Sequence, residues 1–305
     1  MNNYNILVTG GTGMLGKHLQ KYFPKAQYIG TKQFDLTRQC DVEKCITNDI
    51  DIIIHLAARV GGIIDNIRHP VEFYEENTLM NTLVLRQAHL CGVKHVIAIA
   101  SSCAYPDQCN VYPIKENMLH DGAPTKSNLA YAYSKRSMAV HVEAYRNEYN
   151  KEWCVLFPCN LFSEYEIYNP EKSHFLNSLI YKIIDAKQNN KKTITLFGSG
   201  KPLRQFMYAD DLARAIYKIV ERQIYQDMNI ATKENYSIEK IARMALDICE
   251  ADDIEIKFDH NQPDGQYRKD IDSSKFLSHF PNFEFTSLQN GIKKVFNILT
   301  DTQND

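Results

Sequence analysis

Tyr131 and Lys135 stand four residues apart in the run Tyr-Ala-Tyr-Ser-Lys, a spacing that puts both side chains on one face of a helix. An ammonium beside a phenol favours the phenolate. The pair is therefore expected to bring a pKa of about 10 down towards working pH and let Tyr131 pass a proton to a carbonyl oxygen. The spacing alone selects nothing, because Tyr28/Lys32, Tyr168/Lys172 and Tyr236/Lys240 repeat it. Position chooses among them. Only Tyr131 follows, by about thirty residues, a strand-like run that ends in hydroxyls, His95 to Ala100 and then Ser101-Ser102. Serines at the carboxyl end of a parallel strand lie where open α/β sheets bind ligands. Ser101, Tyr131 and Lys135 are thus the candidate catalytic triad.

A second constellation opens the chain. Thr9-Gly-Gly-Thr-Gly-Met-Leu-Gly16 spaces Gly10, Gly13 and Gly16 as GxxGxxG between a strand-like run and a helix pattern beginning near Met14. Gly10 allows a tight turn off the strand, Gly13 lets backbone approach a pyrophosphate, and Gly16 lets the helix pack closely; the helix N-terminus attracts the anion. Thr12, Met14 and Leu15 complete this dinucleotide turn. An NAD-selective site usually has an acidic side chain about 20 residues further on, at the end of the second strand. Here the segment reads Tyr28-Ile-Gly-Thr-Lys32. The missing carboxylate and Lys32 favour a 2′-phosphate, hence NADPH over NADH, with Asp35 and Leu36 as adenine neighbours; a solvated surface lysine is the competing reading of Lys32.

The elements that must position these groups are legible as alternation. Asn5 to Thr9, Asp51 to His55 and His95 to Ala100 read as strands buried on both faces, with Pro70 to Cys91 as a helix supplying Val71, Tyr74, Leu79, Leu83, Leu85 and Ala88. Strand and helix in repetition predict a doubly wound parallel α/β sheet of Rossmann type. Cys154 to Phe157 adds a strand and Phe162 to Ser173 reads as loop. Phe175 to Ala186 and Ser237 to Cys249 read as helices, and Thr193 to Phe197 as a strand. The expected division is a dinucleotide-binding domain over 1–160, to which a segment near 205–225 returns, and a smaller α/β substrate domain over 161–305. The polar end from Thr300 to Asp305 is expected to fray.

Composition excludes several classes. The 305 residues carry 35 Lys+Arg against 37 Asp+Glu, a formal charge of −2, so no basic surplus exists for a nucleic-acid backbone. No apolar run reaches the roughly 18 to 20 residues that cross a bilayer, and Met1 to Tyr4 lack the features of a signal peptide. A soluble cytoplasmic protein is expected. The eight cysteines form no CxxC pair and have no His-rich partner segment, so no metal site is signalled and most are expected to be buried thiols.

Taken together these residues resemble the extended short-chain dehydrogenase/reductase family, and within it the GDP-L-fucose synthase subgroup. The likeness covers nearly the whole chain. It rests on Leu56-Ala-Ala-Arg-Val-Gly-Gly-Ile63, Ser101-Ser-Cys-Ala-Tyr-Pro106, Tyr131 to Lys135, Ser173-His174, Gly198-Ser-Gly-Lys-Pro-Leu-Arg-Gln-Phe206 and Pro263-Asp-Gly-Gln-Tyr-Arg-Lys269. The resemblance implies reduction at C4 of a GDP-linked 4-keto-6-deoxy sugar by NADPH, with Tyr131 as proton donor, Lys135 holding the nicotinamide ribose and Ser101 bonding the carbonyl. It also implies that Cys103 and His174 act as base and acid to invert C3 and C5 before reduction. A 4-ketone acidifies both flanking C–H bonds, which makes that chemistry reasonable. Cofactor contacts carry over to Leu56, Ala57, Ala58, Pro158, Asn160, Leu161 and His174. Sugar-side contacts carry over to Ser102, Cys103, Asn160, Arg204 and Lys269, where the Arg204 fork suits diphosphate oxygens.

The sequence also departs from this pattern. Asn160-Leu161 continues as Phe162-Ser-Glu-Tyr-Glu-Ile167 where Tyr-Gly-Pro is common, so the sugar-side loop is expected to be reshaped. Thr12 stands where bacterial relatives often have Arg, and Phe197 where Trp is common. A mannose-derived or a heptose-derived substrate is compatible with these changes. The alternatives are a redox-neutral NDP-sugar 4-epimerase or dehydratase with retained NAD, and a non-catalytic nucleotide sensor, which the intact Tyr/Lys pair argues against. Relatives usually form homodimers through a four-helix bundle, for which Pro70 to Cys91 and Tyr133 to Tyr149 are the candidates.

Overall fold

Runs of Ile, Val and Leu without polar alternation are satisfied only between two helical layers. The computed structural model, which describes residues 4–166, 168–169 and 173–301, builds its sheet from such runs. In chain order the strands are β1 (Ile6–Thr9), β2 (Gln27–Ile29), β3 (Ile52–His55), β4 (His95–Ile99), β5 (Cys154–Pro158), β6 (Asn160–Phe162), β7 (Thr193–Phe197), β8 (Leu203–Arg204), β9 (Phe206–Tyr208), β10 (Met228–Ile230), β11 (Tyr236–Ser237) and β12 (Glu255–Asp259). The main sheet, six-stranded among the described residues, has the order β10-β5-β4-β3-β1-β2. All its pairings are parallel. Strand order reverses between β1 and β3, so the crevice for a ligand opens there, beyond Thr9 and His55.

The helices are α1 (Met14–Tyr22), α2 (Gln39–Cys45), α3 (Ile63–Arg68), α4 (Pro70–Leu90), α5 (Leu129–Tyr149), α6 (Phe175–Gln188), α7 (Ala209–Arg222), α8 (Ile238–Ile248), α9 (Ser274–His279) and α10 (Leu288–Asp301). Pro70 starts α4, where its missing N–H costs nothing, and Gly92 at φ +73 follows its end. Asp210 and Asp211 in the first turn of α7 and Arg222 in its last complement the helix dipole. The long α4 and α5 pack side by side, and α1 packs on α7. None of the described helices is long and apolar enough to cross a membrane.

Two apolar clusters result. The larger surrounds the main sheet and includes Leu7, Ile53, Ile97 and Leu156, together with Leu212, Ile216 and Met228 from later in the chain. Ile271, Phe276 and Phe280 also return to it, a contribution of the C-terminal stretch that the periodicity did not signal. The smaller cluster joins α6, α8 and α10 to the β7–β12 pair through Ile180, Leu196, Ile241 and Ile292. Removing the side chain of a fully buried residue such as Leu7 costs about 2–5 kcal/mol. Helix α4 is sided differently from the expectation. Val71, Tyr74 and Leu79 are exposed, whereas Phe73, Asn77 and Asn81 face inward. At the C-terminus α10 runs on through Thr300 to Asp301, and the rest of the stretch expected to fray, residues 302–305, lies outside the described residues.

Candidate active site

The glycine turn stands at the mouth of the crevice for a steric reason. Gly10 has φ +66, and a Cβ there would sit 2.8 Å from the Ala57 backbone nitrogen, so the β1 turn can touch the segment after β3 only without a side chain. At Gly16 a Cβ would overlap the Gly11 carbonyl, so this glycine lets the helix close against its own turn. Gly13 caps α1 with extended backbone and no side-chain cap, leaving the first-turn N–H groups to another acceptor. An uncapped helix start aimed into a crevice fits a dinucleotide's pyrophosphate.

One cavity of about 970 Å³ runs from this turn across the ends of β3, β4 and β5. Gly10, Thr12, Gly13, Met14, Leu15, Gly16, Asp35, Leu36, Leu56, Ala57 and Ala58 line one arm. Ser101, Cys103, Tyr131, Lys135, Pro158, Asn160 and Leu161 line the middle, and His174, Arg204 and Lys269 the far arm. Two named residues are not brought in. Lys32 is exposed and lies outside the lining, one position past Thr31, which does line it. Ser102 is the first residue of the short helical turn that displays Cys103, and is itself buried outside the lining. The Asp35 carboxylate is engaged by Thr37, whose N–H and hydroxyl both donate to it, so it serves its own turn. Of the repeated Tyr/Lys spacings, Lys172 lies outside the described residues. Tyr28 donates to the Phe23 carbonyl, and Lys240 covers the Tyr236 ring away from the cavity.

At the centre, Ser101 ends the loop from β4 and accepts a bond from the Cys103 N–H at 3.2 Å. Its side chain also favours the ionised form of both neighbours, the Tyr131 phenol and the Cys103 thiol. Lys269 Nζ lies 3.3 Å from Cys103 Sγ. Burial by itself raises the thiol. The Lys269 charge, the bonds from Ser101 and Lys269, and the more distant Arg204 outweigh it, and the net effect lowers the Cys103 pKa. The Tyr131 phenol goes the other way: burial and the charge on Cys103 push it up, against a smaller opposing bond from Ser101. Two acids in one pocket are thereby driven apart.

This corrects the expectation that Lys135 brings Tyr131 down. Lys135 is 2% exposed, its Nζ donates to the Ile99 carbonyl at 2.8 Å, and it stands 6.0 Å from the Tyr131 ring centroid. Burial brings its own pKa down to about 8. Desolvation of both groups is the physical reason, and it keeps Tyr131 a phenol. His174, 41% exposed into the cavity, has its Nδ1 2.8 Å from Glu166 Oε1. Burial disfavours its charged form, but Glu166 and then Cys103 more than compensate, against Lys269, and its pKa is raised.

Groups that sequence reasoning missed hold this arrangement. His55, at the end of β3 and fully buried, has Nδ1 2.7 Å from Thr9 Oγ1 and donates from Nε2 to Asn81 Oδ1 at 3.0 Å; Asn81 donates on to the Ser134 carbonyl. The relay ties β1, β3 and α4 to the residue beside Lys135. Buried Arg136 donates to the Ala104 and Gly122 carbonyls, fixing α5 against the Cys103 turn. Asn160, which the sequence does single out, donates from Nδ2 to the Gln205 carbonyl, setting β6 beside β9. Arg59 lines the cavity and pairs with Glu76 at 2.7 Å. On α1, His18 Nε2 lies 2.7 Å from Ser163 Oγ, and Asn177 of α6 clasps the Ser163 backbone at both its N–H and its carbonyl. Buried asparagines spaced through α4 were the available signal; the turn at 163–166 offered only its acidic character.

Known proteins share this frame. A probable GDP-L-fucose synthase of Drosophila melanogaster is 34% identical over 303 residues, covering 94% of each chain. A GDP-L-fucose synthase of Dictyostelium discoideum is 34% identical over 306 residues, covering 95% of this chain and 93% of its own. The crystal structure of a GDP-L-fucose synthetase from Naegleria fowleri bound to NADP has a TM-score of 0.88 at 32% identity, covering 100% of this chain and 95% of that one. The pattern of the NAD dependent epimerase/dehydratase family matches residues 6–231, and the chain belongs to that family.

Proposed function

We propose that this chain is an NADPH-dependent reductase of the C4 ketone of a GDP-linked 4-keto-6-deoxy sugar, mannose- or heptose-derived, and that Cys103 and His174 exchange protons at C3 and C5 before reduction. The observation that carries the reading is the convergence of a lowered thiol, a raised phenol and a raised imidazole on one cavity that also meets the glycine turn. The relatives named above, two of them called GDP-L-fucose synthases and a third a GDP-L-fucose synthetase bound to NADP, support the substrate class and the coenzyme. NADPH, when bound, supplies hydride to the carbonyl carbon.

The chain's own residues do the rest. The uncapped start of α1 receives the pyrophosphate. Lys135 spends one N–H on the Ile99 carbonyl and keeps two for ribose hydroxyls. Arg204 and Lys269 offer cations to the diphosphate and sugar. Cys103, lowered by Lys269, takes a proton from carbon beside the ketone, and His174 returns one on the opposite face. Ser101 bonds the ketone oxygen while Tyr131, still protonated, delivers its proton as that oxygen gains charge. While Cys103 is still a thiolate its charge raises the phenol further, so Tyr131 holds its proton until the base has acted.

The test incubates the protein with GDP-4-keto-6-deoxymannose, or a heptose counterpart, and NADPH in D₂O, reading absorbance at the nicotinamide band and product mass. NADPH consumption with deuterium at C3 or C5 is the expected result. No NADPH oxidation with either sugar would end the reductase reading; oxidation without deuterium would remove the epimerase part. The same reading includes a homodimer and a two-domain division near residue 160. Val71, Tyr74, Leu79 and Val140 are exposed on α4 and α5, which supports pairing through these helices, and light scattering at twice the 35.2 kDa chain mass is expected.

A further inference from the structure

We infer that Glu166 is the positioning residue for His174, holding the imidazole by Nδ1 so that Nε2 is the nitrogen that exchanges protons with the sugar. The inference rests on the function proposed above and deepens it. One carboxylate oxygen binds His174 twice: the His174 backbone N–H donates to Glu166 Oε1 at 2.8 Å, and Nδ1 lies 2.8 Å from the same atom. An ionised carboxylate only accepts, so the proton of the second contact belongs to Nδ1. Nε2 is then the basic site of the neutral ring and the free acid of the charged one.

Charge accounting points the same way. The Glu166 side chain is 11% exposed, and its Oε2 is buried with no hydrogen-bond partner among the described residues. A buried carboxylate with one unsatisfied oxygen calls for a positive neighbour, and the group it touches is the imidazole. The clamp is itself fixed: the Glu166 N–H donates to the Ser163 carbonyl at 3.3 Å, and Tyr181 of α6 donates to the Glu166 carbonyl at 3.4 Å. His174 stands at the N-cap of α6 with extended backbone, so both ends of the contact are anchored to ordered elements. Among the described residues, three charged or titratable groups act on the ring. Glu166 comes from the turn after β6, Cys103 from the turn after β4, and Lys269 from the stretch before Ile271; the first two favour the imidazolium and the last opposes it.

The experiment uses the full chain labelled with ¹⁵N-histidine, with His174 assigned by its loss in His174→Asn, and follows the ring nitrogens against pH. Glu166→Gln keeps an acceptor for Nδ1–H but removes the charge, whereas Glu166→Asp keeps the charge. Expected are a neutral wild-type ring protonated at Nδ1 and a midpoint above the ordinary value of about 6.5. Glu166→Gln should lower that midpoint by about one unit, a tenfold loss of proton affinity, with Glu166→Asp recovering most of it. An unchanged midpoint in Glu166→Gln, with coenzyme titration and thermal midpoint like wild type, overturns the inference and leaves the reductase reading standing.

A second arm measures deuterium uptake from D₂O into GDP-4-keto-6-deoxymannose. Donation by the charged ring falls as pH rises through its midpoint, so the alkaline limb should move down with Glu166→Gln and back with Glu166→Asp. If the NMR midpoint moves and this limb does not, or the wild type takes up no deuterium, His174 is not the exchanging acid. The function proposed for it then fails, and the positioning role with it.

Discussion

Replacing Lys269 by methionine should make Cys103 a poorer nucleophile by an amount the geometry bounds. A thiolate and an ammonium 3.3 Å apart attract by about 5 kcal/mol at an effective dielectric of about 20. Water in the open cleft screens part of this, and Arg204 remains as a weaker cation. About a third of that figure is a reasonable net loss, near 1.5 kcal/mol, or about one pKa unit upward for the thiol. Methionine keeps the length of the stem and removes only the charge. The assay is the rate of iodoacetamide alkylation at Cys103 against pH, read by peptide mass so that the eight cysteines are separated. The background is favourable, because burial pushes Cys45 up to about 11 and both Cys159 and Cys249 up to about 12. Only the thiolate reacts, so the rising limb should move up by about one pH unit and the rate at any pH on that limb should fall about tenfold. A limb that stays in place, in a Lys269→Met protein that still binds NADPH, would refute the idea that Lys269 sets the thiol's acidity. A loss of deuterium uptake far beyond the roughly tenfold that the alkylation shift accounts for would locate Lys269 on the sugar as well.

Other outcomes follow from the same geometry. Tyr131→Phe should cut NADPH oxidation by about 10² to 10⁴ while leaving coenzyme affinity nearly intact, as kinetics and fluorescence titration would show; an undiminished rate removes Tyr131 from the mechanism. Gly10→Ala forces a Cβ to within 2.8 Å of the Ala57 nitrogen at φ +66, so a loss of about 1–3 kcal/mol of stability and weaker NADPH binding are expected in thermal and binding measurements. His55 is held neutral, its pKa lowered by burial, then by Lys135, to about 4. The unfolded chain therefore binds the extra proton first: the stability due to His55 is full above about 6.5 and drains by up to about 3 kcal/mol as pH falls to about 4. His55→Gln should flatten that part of the denaturation profile, and an unchanged slope between the two proteins would count against a buried neutral ring.

The parts of the molecule that sequence made legible are those governed by one local rule. Strands β1, β3, β4 and β5 could be read because burial on both faces leaves unbroken apolar runs, and the glycine turn because only missing Cβ atoms admit its contacts. Helix α4 was misjudged where tertiary bonds override the pattern: Asn77 is buried because it serves Arg59 and Phe73 backbone groups, and Asn81 because it joins His55 to Ser134. Val71, Tyr74 and Leu79 then turn outward. In the site, the spacing of Tyr131 and Lys135 located the pair but gave the wrong sign for the phenol, because desolvation depends on what covers a group and no spacing encodes that. Charge is the only signal for Lys32, which is exposed and lies outside the cavity lining beside Thr31. Glu166 went unnoticed in an aperiodic stretch whose role depends on a histidine eight residues later.

The contact between His18 and Ser163 means that the stretch aiming His174 cannot be exchanged as a cassette. Its inner face is keyed to an imidazole on the first helix and to an amide on the sixth, so transplanting a homologous stretch without residues 18 and 177 would leave a buried ring facing the wrong atom. Diversification of sugar preference in this scaffold must then travel as coordinated changes at three places, one of them 145 positions away on the very segment that greets the coenzyme.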